Sequence, residues 1–495
     1  MRAINATRLR SPLYSFSESD RKNLFATRLP PVINGNHHNN TSMKTNQTRR
    51  HFIFSTAAAS LGLGLSRTRA ASPNGKLRVL SIGVVGTIGA HDRKQVASHA
   101  DAEIVGLCDV DTNFLAQGAK DHPSAFTCSD YREAFAKHGD KFDAVIVSVP
   151  DHSHAPIMLT AMAHNKHVYG QKPLVHQLSE LVMIEDALKA KPALVTQLGN
   201  QRMVIPGRRA AVEILRQGQL GKAIEAYTWA GSPDSSAYFN DAKVLQENAT
   251  IPTNLDWNLW LGPCAMQPYY DHLAPTKWRS WWEFGTNGLG DWGCHILDVI
   301  FFSYDELMSP ISVKTDCAKP AGKFFHTNPC KSVVTYEVSS DKFANKTFPI
   351  HYYDSNQHPT KEQMRIPEDV QGANMTVVVC EKGTLILGAD GGLKIWRDGK
   401  AEDGLKMPNL PEFPKLNHWH AWVDNCLGKK TELRTPFKDA VRMTEASLLG
   451  VKASRFPGQE LLWDKSKLAF TNSAEATSTI VGRKYREGFA PPRVS

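Results

Sequence analysis

Residues 77–89 read LRVLSIGVVGTIG, and this stretch decides the fold of the chain that follows. A mostly apolar run, residues 77–85, leads into a turn with glycine at positions 83, 86 and 89. Strands that are buried on both faces carry mostly apolar runs, and glycine allows the tight turn that leads into a helix. We therefore predict a strand, a turn and a helix, which together open a doubly wound α/β sheet.

The same alternation continues along the chain beyond this unit. Short apolar segments alternate with amphipathic segments, which predicts a parallel sheet covered by helices on both faces. The predicted strands are 77–85, 103–108, 144–149, 167–170 and 193–197, and the predicted helices are 93–99, 113–120, 131–138, 155–165, 179–189 and 208–217. We assign residues 75–200 to this first domain.

After Gly221 the sequence changes to segments in which apolar and polar residues alternate, as in antiparallel strands with one exposed face. These segments are 223–230, 311–317, 332–338, 375–380 and 384–387, and helical segments follow at 419–427 and 439–455. We assign residues 201–495 to an α+β domain with a large, mostly antiparallel sheet. We expect this domain to contact the substrate, to be closed by the C-terminal helices, and to mediate assembly into a homo-oligomer, a dimer or a tetramer.

Residues 1–72 resemble a leader with a twin-arginine export signal. Arg49 and Arg50 precede a short apolar run, residues 54–65, and residues 67–71 fit a cleavage region. The run is too short to span a bilayer as a stable helix, so we expect no stable membrane insertion. Such a signal begins near the N-terminus, which makes Met43 a candidate for the true start. We expect the mature protein to be periplasmic.

The net charge of +9 arises in this leader. Residues 1–72 hold 11 Lys and Arg against two acids, which leaves 47 basic and 47 acidic residues in the rest of the chain. A neutral mature chain gives no reason to expect nucleic acid as a partner. The eight cysteines include no C-x-x-C pair, so we expect no metal site and mostly buried, free thiols.

The glycine turn fits a dinucleotide. Backbone N–H groups of Gly86, Thr87, Ile88 and Gly89 would face a pyrophosphate at the start of a helix. The glycine pattern is incomplete, because Ile88 stands where a second glycine would let the backbone approach the phosphate. Asp109, at the end of the second strand, would accept hydrogen bonds from the adenosine ribose. A 2′-phosphate would meet this carboxylate, so we predict NAD rather than NADP in a Rossmann-like domain.

The predicted strand 144–149 leads into the sequence VPDHSH, residues 149–154. Ligands bind at the carboxyl edge of such sheets, which makes Pro150, His152 and His154 candidates for a wall around the nicotinamide ribose. An alternative stays open, in which the stretch is a capped helix start with Ser153 or Asp151 as the N-cap.

Two clusters that are far apart in sequence carry the candidate chemistry. Lys172 follows the predicted strand 167–170, and Asp291 and His295 are four residues apart, on one face of a predicted helix. His295 can accept a hydroxyl proton at neutral pH, Asp291 can orient it, and Lys172 can hydrogen-bond the developing alkoxide. The alternative is that Asp291 and His295 form an ordinary i,i+4 interaction on the surface of a helix. Glycines at 285, 288, 290 and 293 argue against that alternative because they indicate close backbone approach.

Aromatic and polar residues near these clusters are candidates for substrate contact. Arg279, Trp281 and Trp282 precede the glycine-rich helix, and sugars stack their C–H faces on such rings. Tryptophans at a domain junction also serve the core, and this alternative stays open. Gln201, after the predicted strand 193–197, is a further candidate for polar contact.

These motifs, in this order, resemble the Gfo/Idh/MocA oxidoreductases, a group that includes glucose-fructose oxidoreductase and inositol dehydrogenase. The resemblance extends from about residue 77 to 489. By resemblance, Lys172 matches the lysine of the family's Glu-Lys-Pro motif, while Asp291 and His295 match its acid and its histidine. Gln171 departs from the usual glutamate, and Ile88 departs from the glycine loop.

The residues and the resemblance together imply an exported, NAD-dependent oxidoreductase that takes a hydride from a secondary hydroxyl of a sugar or cyclitol. One alternative is an NAD-dependent glycosidase of the same family, which oxidises a sugar transiently and eliminates the aglycone. Another is a sugar- or dinucleotide-binding protein without catalysis, which Ile88 and Gln171 suggest.

Overall fold

A computed structural model describes residues 75–231, 249–271, 273–275, 277–318, 330–354, 357–370 and 372–495. All described residues belong to one compact unit, Arg69–Ser495. The predicted leader, with Arg49 and Arg50, lies outside the described residues.

The first sheet of the described residues is parallel and has six strands in the order β3-β2-β1-β4-β5-β6. Its strands are β1 (Leu77–Ile82), β2 (Ala102–Cys108), β3 (Phe126–Cys128), β4 (Ala144–Val147), β5 (His167–Gly170) and β6 (Thr196–Leu198). Central strand β4 is buried along its whole length, as its unbroken apolar sequence requires. The predicted doubly wound fold is confirmed, whereas β3, with only three residues, was not predicted.

Helices cover this sheet, and two of them begin at aspartate side-chain caps. They are α1 (Gly89–Ala97), α2 (Thr112–Asp121), α3 (Tyr131–His138), α4 (His154–Ala163), α5 (Leu178–Ala190) and α6 (Pro206–Arg216). The Asp111 side chain accepts hydrogen bonds from two N–H groups at the start of α2, and Asp130 accepts one at the start of α3. These caps satisfy backbone donors that a helix start leaves unpaired.

The second sheet has ten strands among the described residues, in the order β14-β13-β12-β11-β7-β10-β9-β8-β15-β16. They are β7 (Ala223–Ala230), β8 (Ser312–Asp316), β9 (Lys331–Glu337), β10 (Thr347–Asp354), β11 (Asn374–Cys380), β12 (Gly383–Gly388), β13 (Leu393–Arg397), β14 (Lys400–Asp403), β15 (Glu460–Asp464) and β16 (Ala469–Phe470). Only β7 and β10 pair in parallel within the described sheet. The predicted large, mostly antiparallel sheet is confirmed.

Five helices of the second half are described: α7 (Trp257–Leu261), α8 (Asn287–Ser303), α9 (His418–Cys426), α10 (Phe437–Lys452) and α11 (Ala474–Ile480). Helix α8 is buried along most of its length and packs against α6, α10 and strands β7 and β11. Helix α9 returns to pack on α1, and α10 packs on α5. The second half therefore encloses the first sheet. The division at residue 200 stays a prediction. None of the described helices is long and apolar enough to cross a bilayer.

Candidate active site

The loop between β1 and α1 uses its three glycines differently. Gly83 and Gly86 have positive φ angles of +83° and +44°. A Cβ on Gly83 would collide with the backbone of Ser148, and a Cβ on Gly89 would collide with the Gly83 carbonyl, so both permit tight packing of the loop. Around Gly86 nothing lies within 4 Å of an added Cβ, and the residue is exposed. Gly86 therefore leaves backbone open to a ligand.

Asp109 is fixed beside this loop, directly after β2. Its Oδ2 accepts a hydrogen bond from the Val84 N–H at 2.8 Å, and its Oδ1 accepts one from the Asp111 N–H at 3.0 Å. Burial raises the pKa of Asp109 to about 6, so the carboxylate is largely ionised at neutral pH. This position suits an acceptor for the ribose hydroxyls of a dinucleotide.

A cleft of about 310 Å³ runs along the carboxyl edge of the sheet, past the glycine loop. Gly83, Gly86, Asp109 and Pro150 line one side of it. The open backbone at Gly86 and the fixed carboxylate of Asp109 fit a dinucleotide, with Gly86 toward the pyrophosphate and Asp109 toward the ribose. Ile88 is half-buried at the N-cap of α1 and leaves this arrangement intact, while Thr87 is exposed.

His152 and His154 lie behind the cleft rather than in its wall, because both are buried. The Nε2 atom of His152 is 2.9 Å from the Trp260 carbonyl oxygen. The Nδ1 of His154 is 2.7 Å from the Pro173 carbonyl oxygen. The predicted contact of these two histidines with the cofactor is therefore corrected, since the structure uses them to hold backbone segments together; Ser153, between them, lines the cleft.

The capping alternative for the same stretch is also not realised through side chains. Ser153 is at the N-cap of α4 without a side-chain cap bond. Asp151 accepts a hydrogen bond from Thr286 Oγ1 at 2.7 Å instead, and burial raises the pKa of Asp151 to about 7. Thr286 is the N-cap residue of α8, so Asp151 ties the first domain to the start of that helix.

Lys172 and Asp291, predicted from separate clusters, are in direct contact. The Nζ atom of Lys172 lies 2.6 Å from Asp291 Oδ1 and 3.0 Å from the Asp291 carbonyl oxygen. Their side chains are 17% and 19% exposed, so the pair remains open to a ligand. Burial would raise the pKa of Asp291, but the charges of Lys172 and Arg279 outweigh it and lower the pKa to about 2.

His295 lies one helical turn from Asp291 and is 6% exposed. Burial, followed by the charge of Lys172, lowers its pKa well below the ordinary value, so the imidazole is neutral at pH 7. Its buried Nδ1 has no hydrogen-bond partner among the described residues. The Asp291 carboxylate is hydrogen-bonded to Lys172, so its first partner is the lysine and not the histidine.

Arg279 lies between the glycine loop and Asp291. Its Nη2 donates to Thr87 Oγ1 at 3.4 Å, and its Nε lies 3.8 Å from Asp291 Oδ1. Trp281, by contrast, is 1% exposed and packs edge-on against Tyr270, with ring centroids 4.6 Å apart. The Trp282 ring lies 4.5 Å from the Nζ of Lys452. The positions of both tryptophans agree with the core alternative.

Gln201 is half-buried in a short 3-10 turn, and its neighbours approach α8. Asn200 donates to the Cys294 carbonyl at 2.8 Å. The Arg202 guanidinium lies 5.4 Å from the centre of the Trp292 ring. Asn200 and Arg202 of this turn therefore contact α8.

The glycines of α8 serve helix packing. A Cβ on Gly293 would collide with Ser447 Oγ on α10 and with the Tyr352 hydroxyl on β10. A Cβ on Gly290 would collide with the side chain of Thr286. The close backbone approach inferred from these glycines is therefore real, but the approaching groups belong to the protein and not to a ligand.

Sequence reasoning missed the seam that fixes α8 against the first domain. Besides Asp151, His152 donates its N–H to the Phe284 carbonyl at 3.1 Å, and His176 Nε2 lies 2.8 Å from the Gly285 carbonyl oxygen. Deeper along the helix, the Arg208 guanidinium pairs with the Asp298 carboxylate, and both side chains are fully buried. These partners are about 100 positions apart or more, so no local pattern could have indicated them.

Within the described ranges, no three His, Cys, Asp or Glu side chains are grouped as ligands for a metal ion.

Both halves of the chain are similar to known oxidoreductases. Residues 77–197 match a family model described as oxidoreductase family, NAD-binding Rossmann fold, and residues 214–331 match one described as oxidoreductase family, C-terminal alpha/beta domain. The chain is 27% identical over 188 residues to inositol 2-dehydrogenase 3 of Saccharopolyspora erythraea, which covers 36% of this chain and 53% of that protein. The chain thus spans about half the length of the curated relatives it matches.

Solved structures share the fold. An inositol dehydrogenase homologue of Azotobacter vinelandii complexed with NAD+ gives a TM-score of 0.55 at 15% identity, covering 78% of this chain and 97% of that one. The WlbA dehydrogenase of Bordetella pertussis, in complex with NADH and UDP-GlcNAcA, gives 0.55 at 14% identity, covering 79% and 99%. The two halves of this chain thus match two models of one oxidoreductase family, Gfo/Idh/MocA, and the first half matches its NAD-binding Rossmann domain.

Proposed function

We propose that this protein is an NAD-dependent oxidoreductase that oxidises a secondary hydroxyl of a sugar or cyclitol. The observation that carries the proposal is the contact of Lys172 with Asp291, beside the neutral His295, at the carboxyl edge of an NAD-binding sheet. Inositol 2-dehydrogenases among the relatives support a polyhydroxylated ring as the substrate.

Each side chain has a distinct part in this proposal. NAD, when bound, supplies the hydride acceptor. Lys172 Nζ donates a hydrogen bond to the substrate oxygen and stabilises the negative charge that develops there. The neutral imidazole of His295 accepts the hydroxyl proton. Asp291 holds Lys172 in place through their ion pair.

The test uses NAD with a panel of inositols, monosaccharides and methyl glycosides, and follows the absorbance of NADH. We expect turnover with at least one of these substrates, and its loss in His295→Ala. His358→Ala is the matched control, because His358 is exposed on the second domain and outside the site. Equal turnover of all three proteins would exclude His295 as the proton acceptor and remove the main support for the mechanism.

A second candidate is an oxidation–elimination glycosidase with the same cofactor. The dinucleotide cleft is covered by residues of the second half, which favours a cofactor that stays bound and is regenerated in each turnover. An aryl glycoside distinguishes the candidates. Release of the phenol without accumulation of NADH indicates the glycosidase, whereas accumulation of NADH indicates the simple dehydrogenase.

We further propose that the protein is exported by the twin-arginine route to the periplasm. The support is the Arg49-Arg50 pair ahead of the apolar run at residues 54–65. Replacing both arginines by lysine should leave folded protein in the cytoplasm, as measured by immunoblotting of cell fractions. An unchanged periplasmic pool in that double variant would exclude this route.

A further inference from the structure

The outer wall of the dinucleotide cleft comes from the second half of the chain. The cleft separates two sets of residues. On the sheet side are the glycine loop, Asp109 and Pro150. On the opposite side are Asn254, Leu255, Leu259, Trp260, Gly262 and Phe489. We call residues 252–263 the clasp. The clasp bridges a cleft of about 310 Å³ and leaves it open inside.

The clasp is attached at the adenosine end, two residues beyond Asp109. The Asn254 side chain donates to Asp111 Oδ2 at 2.8 Å, and the Asn254 carbonyl accepts from the Thr112 N–H at 2.9 Å. The Asp256 N–H donates to the Val110 carbonyl at 2.9 Å. These bonds form an isolated antiparallel bridge between Asp111 and Leu255, so the clasp pairs with the loop that follows β2.

The other end of the clasp is attached beside Pro150. The Trp260 carbonyl oxygen lies 2.9 Å from His152 Nε2. Gly262 packs so closely on Ser153 that an added Cβ would be 3.0 Å from the Ser153 hydroxyl. The clasp therefore crosses the cleft from the end of β2 to the end of β4.

The C-terminal residues fasten the clasp from outside. Arg486 donates its N–H to the Pro263 carbonyl at 3.0 Å and its Nε to the Gly262 carbonyl at 2.9 Å. Arg132 donates to the Gly488 carbonyl at 2.9 Å and lies 3.9 Å from the centre of the Phe489 ring. Phe489 is thereby held in the cleft wall, where it is 6% exposed.

We propose that the clasp and Phe489 complete the dinucleotide site and retain NAD on the protein through many turnovers. This inference rests on the proposed function. Release of the dinucleotide requires the clasp to lift, which breaks several hydrogen bonds together. A retained cofactor must be regenerated in place. The net reaction then balances one carbinol oxidised against one carbonyl reduced, in the same molecule or in a second carbonyl substrate.

The experiment measures exchange of bound NAD. Protein saturated with NAD is freed of excess nucleotide, mixed with isotopically labelled NAD, and followed by native mass spectrometry. We expect slow exchange in the wild type. Asn254→Ala loses the bond to Asp111, and exchange should be about 5- to 10-fold faster, since one hydrogen bond is worth about 1 kcal/mol. Phe489→Ala should act in the same direction.

Asn254→Asp is a second variant that tests the clasp by charge, because it places a carboxylate against that of Asp111. Asn345→Ala and Asn345→Asp are the matched controls, since Asn345 is exposed on the second domain, away from the cleft. Thermal melting of each variant shows whether it is folded. Faster exchange in both Asn254 variants, with unchanged controls, supports the clasp.

Two other outcomes would distinguish a failure of the clasp proposal from a failure of the proposed function. Equal exchange rates in the wild type and in the folded Asn254 and Phe489 variants would overturn the clasp while leaving the oxidoreductase proposal intact. Failure of the wild type to bind NAD at all, measured by titration calorimetry, would overturn the proposed function together with the clasp.

Discussion

Both halves of the candidate site use glycine, for different reasons. In the β1–α1 loop, Gly86 has a positive φ and open space where a side chain would be. In α8, Gly293 is in close contact with Ser447 and Tyr352, so the missing side chain makes room for a neighbouring helix and strand. The same residue type therefore marks a ligand surface in one half and a packed core in the other.

The difference lies in what the rest of the sequence supplies. Near Gly86, the strand, the turn and Asp109 follow one another within one βαβ unit, so local order predicts the geometry. The neighbours of Gly293 come from segments far along the chain, and only the tertiary fold identifies them. Binding of the cofactor is thus encoded locally, whereas the chemical step depends on contacts made by folding.

The largest expected effect is a loss of kcat without a loss of NAD affinity, which would distinguish the α8 half of the site from the β1–α1 loop. Lys172→Ala or His295→Ala should lower kcat by about 10²- to 10⁴-fold, because removal of a positioned proton acceptor or donor costs that much. NAD affinity, measured by calorimetry, should be unchanged, since neither residue lines the dinucleotide cleft. A variant that loses NAD binding together with kcat would show that the two halves are not independent.

The next largest effect is on the preference for NAD over NADP, which depends on Asp109 beside the β1–α1 loop. Asp109→Ser should narrow the preference for NAD over NADP by about 10- to 100-fold, because a carboxylate beside a 2′-phosphate costs several kcal/mol. Dissociation constants for both dinucleotides give the ratio. Asp101→Ser is the control, since Asp101 is at the other end of β2. Equal affinity of the wild type for NAD and NADP would show that Asp109 does not contact the ribose.

The sequence predicted the loop half better than the α8 half. The first strand, predicted at 77–85, is β1 (Leu77–Ile82), and Gly86 and Asp109 follow β1 and β2 as expected, because each depends on neighbours within a short stretch. Lys172, Asp291 and His295 were found through motif order, but the pairing of Asp291 with Lys172 was not. The clasp was missed entirely, because nothing in residues 252–263 indicates that they cover a cleft formed by residues 83–150. Twin-arginine export stays a prediction.

The partner of Asp291 can be measured by double-mutant cycles. The structure gives Lys172 as that partner, so Asp291→Asn and Lys172→Ala should be strongly non-additive in kcat/KM, with a coupling of about 1–3 kcal/mol. The coupling of Asp291→Asn with His295→Ala should be smaller. The opposite ranking would indicate that Asp291 acts by orienting the histidine, as the sequence pattern alone suggested.

A stability test compares the two kinds of glycine. Gly293→Ala should destabilise the protein by about 1–3 kcal/mol, because the new methyl group enters a close-packed contact. Gly86→Ala should cost less than that, since its methyl group meets no atom and only the positive φ is unfavourable. Instead, Gly86→Ala should weaken NAD binding. Denaturant unfolding gives the first quantity and calorimetry the second, and equal destabilisation by both substitutions would contradict the comparison.

The smallest expected effect is a pH dependence at the seam between the halves. Burial raises the pKa of Asp151 to about 7, above its ordinary value near 3.8, while its carboxylate accepts from Thr286. A raised pKa means that the folded state holds the proton more tightly, so this contribution to stability is present below about pH 4 and is lost as the pH rises to about 7. Asp151→Asn keeps an acceptor for Thr286 but does not titrate. Its melting temperature, relative to the wild type, should therefore rise by about 2 °C or more between pH 5 and 8.

Asp140→Asn, an exposed acid in the turn after α3, is the control and should show no such trend. Parallel melting curves for the wild type and Asp151→Asn across this range would mean that Asp151 is ionised throughout. In that case the seam would hold a buried charge, stabilised by Lys172 and Arg279 nearby, and the start of α8 would be positioned by electrostatic attraction rather than by a neutral hydrogen bond.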